Sequence, residues 1–115
     1  MTRVRKAAGW LLVLAVAGIM IFAGSGKALG FAPPEVTEGM KKHGLFDHMQ
    51  LIGWGELAAA LLFLWPRTSS LGVLATSGFW GGTIAFHMAN GEPYLLQSGF
   101  LLATWFGAAL RDRRT

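Results

Sequence analysis

The stretch Ala7–Ala23 carries no charged residue, and three further apolar runs follow it in the chain. These are about Met49–Trp65, interrupted only by Glu56, then about Ser70–His87 and about Tyr94–Leu110, with Gly, Pro and charged residues between them. A membrane-spanning helix needs roughly 20 predominantly apolar residues, with a range of about 17–25. Each run sits at the short end of that window, which a small tilt or a slightly thinned bilayer accommodates. The pattern predicts an all-α fold: a four-transmembrane-helix bundle running up-down-up-down, a single integral membrane domain over residues 1–115. From Val36 to Met49 the first connection mixes apolar and charged residues. That mixture predicts a short interfacial helix on the outer side.

Composition separates this reading from its competitors. Hydrophobic residues make up 53% of the chain and charged ones 14%, whereas soluble domains carry about 25% charge. A soluble four-helix bundle also needs a polar face on every helix, and the first and fourth runs have almost none. The first run, with a basic start, an apolar centre and small residues after it, also has the layout of a cleaved signal peptide. Its length and the three runs that follow favour a retained span. The net charge of +4 does not mark a nucleic-acid binder. Its basic residues cluster at the two chain ends beside apolar runs, as topology signals and anionic-lipid contacts do. With no cysteine in the chain, disulfides and thiolate metal sites are excluded.

Lys and Arg in short loops set orientation. Arg3, Arg5, Lys6, Arg67, Arg111, Arg113 and Arg114 fall on one predicted side, and Lys27, Lys41 and Lys42 on the other. Seven against three places both termini in the cytoplasm. Trp10, Trp65 and Tyr94 fall at predicted span ends, where amphipathic rings settle.

Ionisable residues within a span are costly, about 2.5–3.5 kcal/mol near the centre on the insertion scale, and normally face a partner or a wet cavity. Glu56 is the one acidic residue inside a predicted span, roughly 10 Å along its helix from Met49. Lys27 lies just past the outer end of the first run. Thr76, Trp80, Thr83 and His87 follow steps of four, three and four and share a helix face. Gln97 opens the fourth run, with Thr104 two turns deeper. Lys27, Glu56, His87 and Gln97 therefore converge on one outward-opening polar pocket, with Thr83 beside them and Trp54 and Trp80 placed to pack a ring. Three uses stay open: internal hydrogen-bonded glue between helices, a ligand or cofactor pocket, and proton transfer. Gly53, Gly55, Gly78, Gly81 and Gly82 are expected to let helices approach closely. His43, Asp47 and His48 make a short outer cluster too sparse to predict a metal site. No phosphate-cradling loop or catalytic triad pattern is present.

Several short pieces, in order, resemble the DoxX-like family of small four-helix membrane proteins. The strongest is Pro66-Arg67-Thr68 followed by Leu71-Gly72, Gly81-Gly82 and Ala85-Phe86-His87. Gly24-Ser25-Gly26-Lys27, Gly53 with Glu56, and the closing Leu110-Arg111-Asp112 support it, so the resemblance runs from about Phe22 to the carboxyl end. Met88 and Ala89 depart from it, standing where relatives often carry a basic residue. The resemblance implies a multi-pass protein of the bacterial inner membrane and, through the subunit that names the family, a link to quinol and thiosulfate oxidation. Two functions follow as expectations. One is a non-catalytic accessory or assembly subunit that contacts lipid and other membrane subunits or copies of itself. The other is a binder of a quinone or other lipid-soluble molecule in the outer pocket, supporting a membrane redox system.

Overall fold

The computed structural model describes residues 2–31, 33–42 and 44–112. His43 of the outer cluster, and Arg113 and Arg114 of the carboxyl basic cluster, lie outside them. The described chain is all-helical: α1 (Thr2–Leu29), α2 (Pro34–Lys42), α3 (Met49–Leu64), α4 (Ser69–Ala89) and α5 (Leu95–Asp112), with 3₁₀ turns at Phe46–His48 and Pro66–Thr68. A long helix occupies each of the four apolar runs. By length and apolar composition, one described helix is enough to cross a membrane, α1 over Arg3–Leu29, with mean hydropathy 2.2 in an 18-residue window. The pair Phe46–Leu64 and Pro66–Ala89 passes the same test only when taken together, and the chain turns through 109° between them.

Local chemistry explains the breaks. Pro66 disfavours helical backbone at the residue before it, and Trp65 is extended (φ −86°, ψ 117°). Thr68 Oγ1 then donates to the Leu62 carbonyl at 2.7 Å, which satisfies one of the acceptors left at the end of α3. After α4 the chain reverses at Asn90-Gly91. Gly91 takes φ 68° there, a left-handed conformation that costs a residue with a Cβ. The expected interfacial helix over 36–49 is shorter and earlier, ending at Lys42. Gly44, with φ 75°, separates it from the 3₁₀ turn that leads into α3.

The four long helices close a ring in which α1 packs on α3 and α5, and α4 packs on α3 and α5. Val13, Val16, Ala17 and Met20 of α1 meet Ala59, Ala60 and Phe63 of α3, Trp80 of α4 and Ala108 of α5 in the core. Outward, large apolar side chains stand exposed on every long helix, among them Leu11 and Phe22, Leu51 and Trp54, Leu71 and Leu74, and Leu102 and Phe106. Such an exterior suits hydrocarbon far better than water.

Glycine sets how closely the ring closes. A Cβ on Gly72 would lie 2.4 Å from the Phe63 backbone, one on Gly53 2.6 Å from Ala28 N, and one on Gly9 2.4 Å from Arg111 N. Of the glycines expected to pack, only Gly53 does so. A Cβ on Gly55, Gly78, Gly81 or Gly82 meets no described atom within 4 Å. Gly55 is two residues from Gly53 and so on the opposite helix face. The α4 glycines flank the inward Thr76–Trp80 face without occupying it.

Arg111 also departs from expectation. Read from sequence as part of a solvated or lipid-facing basic cluster, it is only 4% exposed. Its guanidinium donates to the carbonyls of Phe63 (2.8 Å) and Leu64 (3.4 Å), to Ser69 Oγ (2.9 Å), and through Nε to Asp112 Oδ1 (2.7 Å). It also stacks over Trp10, 4.9 Å from the ring centroid. Five donors in a planar fork suit this work. The positive charge sits at the carboxyl end of α3, where the helix dipole favours it. Ser69 Oγ donates to Asp112 as well. Burial pushes the Asp112 carboxyl up, but the hydrogen bonds from Arg111 and Ser69 and the charges of Arg111 and Lys6 outweigh it. Its pKa is therefore lowered.

Candidate ligand cavity

At the opposite end of the ring lies a cavity of about 1230 Å³, lined by α1, α2, α4 and α5, with Ile52 and Glu56 from α3. Its walls are largely Ile, Phe, Leu, Val and Met, with a few convergent polar groups, the composition of a site for an apolar molecule with a polar end.

The first polar group is an ion pair. Lys27, in the last turn of α1, donates from Nζ to Glu56 Oε1 at 2.9 Å, and their side chains are 13% and 2% exposed. Close approach of α1 and α3 at Gly24 and Gly53 brings the pair together, since neither glycine has room for a Cβ. Breaking such a pair on one side only is far costlier than replacing both partners, because it strands a buried charge. The Lys27 ammonium also lies 5.7 Å from the Phe79 ring centroid, within cation–π range.

The second is a chain of three side chains. His87 Nδ1 lies 3.1 Å from Glu92 Oε1, and His87 Nε2 lies 3.3 Å from Gln97 Nε2. A carboxylate accepts only, so Nδ1–H donates to Glu92 and Nε2 accepts from the Gln97 amide. The Asn90-Gly91 reversal builds this arrangement: Glu92 N donates to the His87 carbonyl at 2.8 Å, folding residue 92 back over the end of α4. Gln97 then comes in from the first turns of α5.

The third is aromatic. Trp80 stacks on Phe100 with centroids 4.9 Å apart and planes at 22°, and Phe79 meets Trp80 edge-on at 4.9 Å. Trp80 Nε1 and Gln97 Oε1 are buried and have no hydrogen-bond partner among the described residues. Thr83 Oγ1 donates to the Trp80 carbonyl at 2.8 Å.

Of the seven residues expected to form the pocket, Lys27, Glu56, Trp80, Thr83, His87 and Gln97 line this cavity. Trp54 does not. It is 54% exposed on the outer face of α3, because two residues before Glu56 is about 200° round the helix. Sequence reading missed Glu92, Phe100 and the cover supplied by α2, whose Glu35, Val36 and Met40 line the mouth. The Asn90-Gly91 pair was a legible signal for Glu92, since a tight reversal returns the residue that follows it to the helix end. Asp47 and His48 belong to no group of three or more His, Cys, Asp or Glu among the described residues placed to hold a metal ion.

The family model for the DoxX-like family matches residues 4–109. This chain belongs to the DoxX-like family. The match begins well before Phe22, so the DoxX-like pattern takes in most of α1 as well as the later helices. It ends before Arg111-Asp112, the closing piece of the resemblance read from the sequence. No curated protein and no solved structure matches the chain. Family membership, with the apolar α1, marks this DoxX-like chain as a small membrane protein.

Proposed function

We propose that this DoxX-like protein is a four-span component of the bacterial inner membrane that binds a lipid-soluble molecule, by its polar head, in the outward cavity. In this reading α1, α3, α4 and α5 cross up-down-up-down with both termini cytoplasmic. Arg3, Arg5, Lys6 and Arg67 then lie at the Arg111 end, and the cavity opens at the far side. One observation carries the binding role: a single large apolar cavity gathers the Lys27–Glu56 pair, the His87–Gln97 contact and the orphaned Trp80 Nε1. A quinone fits this set, because the indole N–H donates to a ring oxygen and the apolar wall takes the ring. A bound lipid head fits it as well. When bound, a quinone would supply two-electron redox chemistry to a partner. Lys27, Glu56, His87 and Gln97 would hold and orient the head, and no residue is assigned a catalytic step.

The decisive experiment is purification in mild detergent followed by extraction and mass spectrometry. The expected result is a small lipid-soluble molecule retained by the wild type and reduced roughly tenfold or more in Glu56→Gln and His87→Ala, a loss of about 1.4 kcal/mol in binding. If both variants keep the same ligand content and melting temperature, the cavity has no such role. A reporter fused after Thr115 is expected to be active only in the cytoplasm.

A second reading, an accessory or assembly subunit of a larger membrane complex, is favoured by one feature. Leu51, Trp54, Ala58, Leu61 and Trp65 form an exposed apolar stripe along α3 at the spacing that seats a partner helix. Protein partners co-purifying in fixed ratio, and lost on Trp54→Ala with Leu61→Ala, would favour it.

A further inference from the structure

α1 and α5 are joined tightly at one end of the ring, away from the cavity. A Cβ on Gly9 would sit 2.4 Å from the Arg111 backbone nitrogen, and one on Gly107 3.0 Å from Leu12 Cβ. Further along the same two helices, a Cβ on Gly18 or Gly99 meets no described atom within 4 Å. The cavity lies toward this end, and Gly18 lines it. Its rim carries Phe22 of α1 and Leu96 of α5, 80% and 69% exposed. Two large apolar side chains that line the cavity, one on each helix, thus also reach the bundle's outer surface, which suits hydrocarbon better than water.

Inside, the chemistry changes. Trp80 is 6% exposed, and its Nε1–H has no partner among the described residues; the same is true of Gln97 Oε1. Buried polar atoms are as a rule hydrogen-bonded, so two orphans on one wall point to a ligand that completes them. The indole needs an acceptor and the amide oxygen a donor. Turning the amide over would strand its NH₂ in place of its oxygen. A hydroxyl both donates and accepts, and it meets the need in either orientation.

We propose that the cavity is loaded sideways from the bilayer, between α1 and α5, by a tailed amphiphile with a hydroxylated head. The head bonds Trp80 Nε1 and Gln97, and the tail stays in lipid against Phe22 and Leu96. This rests on the cavity being the binding site, and it adds the route and the head-group chemistry.

The test uses the full chain in proteoliposomes and a long-chain 4-alkylphenol carrying a photoactivatable diazirine in its tail. Saturable labelling is expected on peptides holding residues 18–23 and 95–100. It should fall about tenfold in Gln97→Leu, matching the loss of one hydrogen-bonded head contact. Gly18→Trp, which fills the opening where there is free space, should block labelling with the melting temperature unchanged. Ala23→Trp, at another lining position of α1, is the second blocking variant should the first not fold. Saturable labelling confined to α2 peptides and indifferent to both blocks would overturn the lateral route and leave the cavity reading intact. A native ligand that still depends on Glu56, with no saturable phenol labelling, would overturn the hydroxylated head. Unsaturable labelling with no native ligand would remove both.

Discussion

The two ends of this bundle carry the same kinds of residue and use them differently. At one end, a buried arginine hydrogen-bonds two carbonyls, a serine and an aspartate. Glycines there press helix against backbone at Gly9 and Gly72. At the other end, a buried lysine and glutamate pair at the wall of a large cavity, Gly53 presses on α1 while Gly18 and Gly82 face open space, and an indole and an amide lack partners among the described residues. The closed end has the character of a structural clamp, because Arg111, Ser69 and Asp112 answer one another and the last carbonyls of α3. At the open end, the incomplete hydrogen bonds of Trp80 and Gln97 belong to residues that line a cavity. A polar residue in a membrane helix is thus a sign of function only when its hydrogen bonds are left incomplete.

Four substitutions or titrations sharpen this contrast. The largest effect is expected from Arg111→Leu, which strands Asp112 and the carbonyls of Phe63 and Leu64. A stability loss of about 3–5 kcal/mol, followed by thermal melting in detergent, is the expected outcome, with ligand retention falling only as far as folding does. Next comes Lys27→Met, which leaves Glu56 without its partner at the cavity wall. Its cost should approach about 3 kcal/mol and be largely restored in the Lys27→Met/Glu56→Gln double variant. Failure of the double variant to recover would mean that the pair is not a coupled unit. Third, Gly9→Ala and Gly72→Ala should each cost about 1–3 kcal/mol by overpacking. Gly18→Ala should instead gain about 0.5–1 kcal/mol, because a helical glycine with free space gives up only its entropy penalty. Equal effects at the two ends would erase the distinction between them.

The smallest effect is a pH dependence. Asp112 has its folded pKa lowered, first against burial and then by Arg111, Ser69 and Lys6. The stability that it contributes is therefore present above the ordinary aspartate value of about 3.9 and lost as pH falls through the lower folded value. Because Asp112 is partly exposed, solvent screening holds the effect to under about 1 kcal/mol. Melting curves between pH 3 and 6 should slope downward with acid in the wild type and stay flatter in Asp112→Asn.

Much of the cavity was legible in one dimension. Lys27, Glu56, His87 and Gln97 are rare polar residues at comparable depth in apolar runs, and the cost of ionisable groups in hydrocarbon drives such residues together. Trp54 was misplaced because a residue near a key carboxylate in sequence is not near it on a helix; the 100° step decides. Glu92 lay outside any apolar run, so depth could not flag it, and only the backbone reversal at Gly91 brings it to His87. Arg111 was misread because a basic residue at a span end is usually a topology signal. Nothing in its neighbours in sequence announces that a distant helix end lacks partners for its carbonyls.

The amino-acid sequence by itself determined the all-helical class, the four apolar segments and the set of polar residues that cannot face hydrocarbon, since these follow from hydropathy and the 3.6-residue period alone. Tertiary structure decided which of those polar residues are answered. Whether a buried donor meets an acceptor depends on interhelical distance, and that distance is set by where glycine lets α1 close on α3 and α5 and where the helices part.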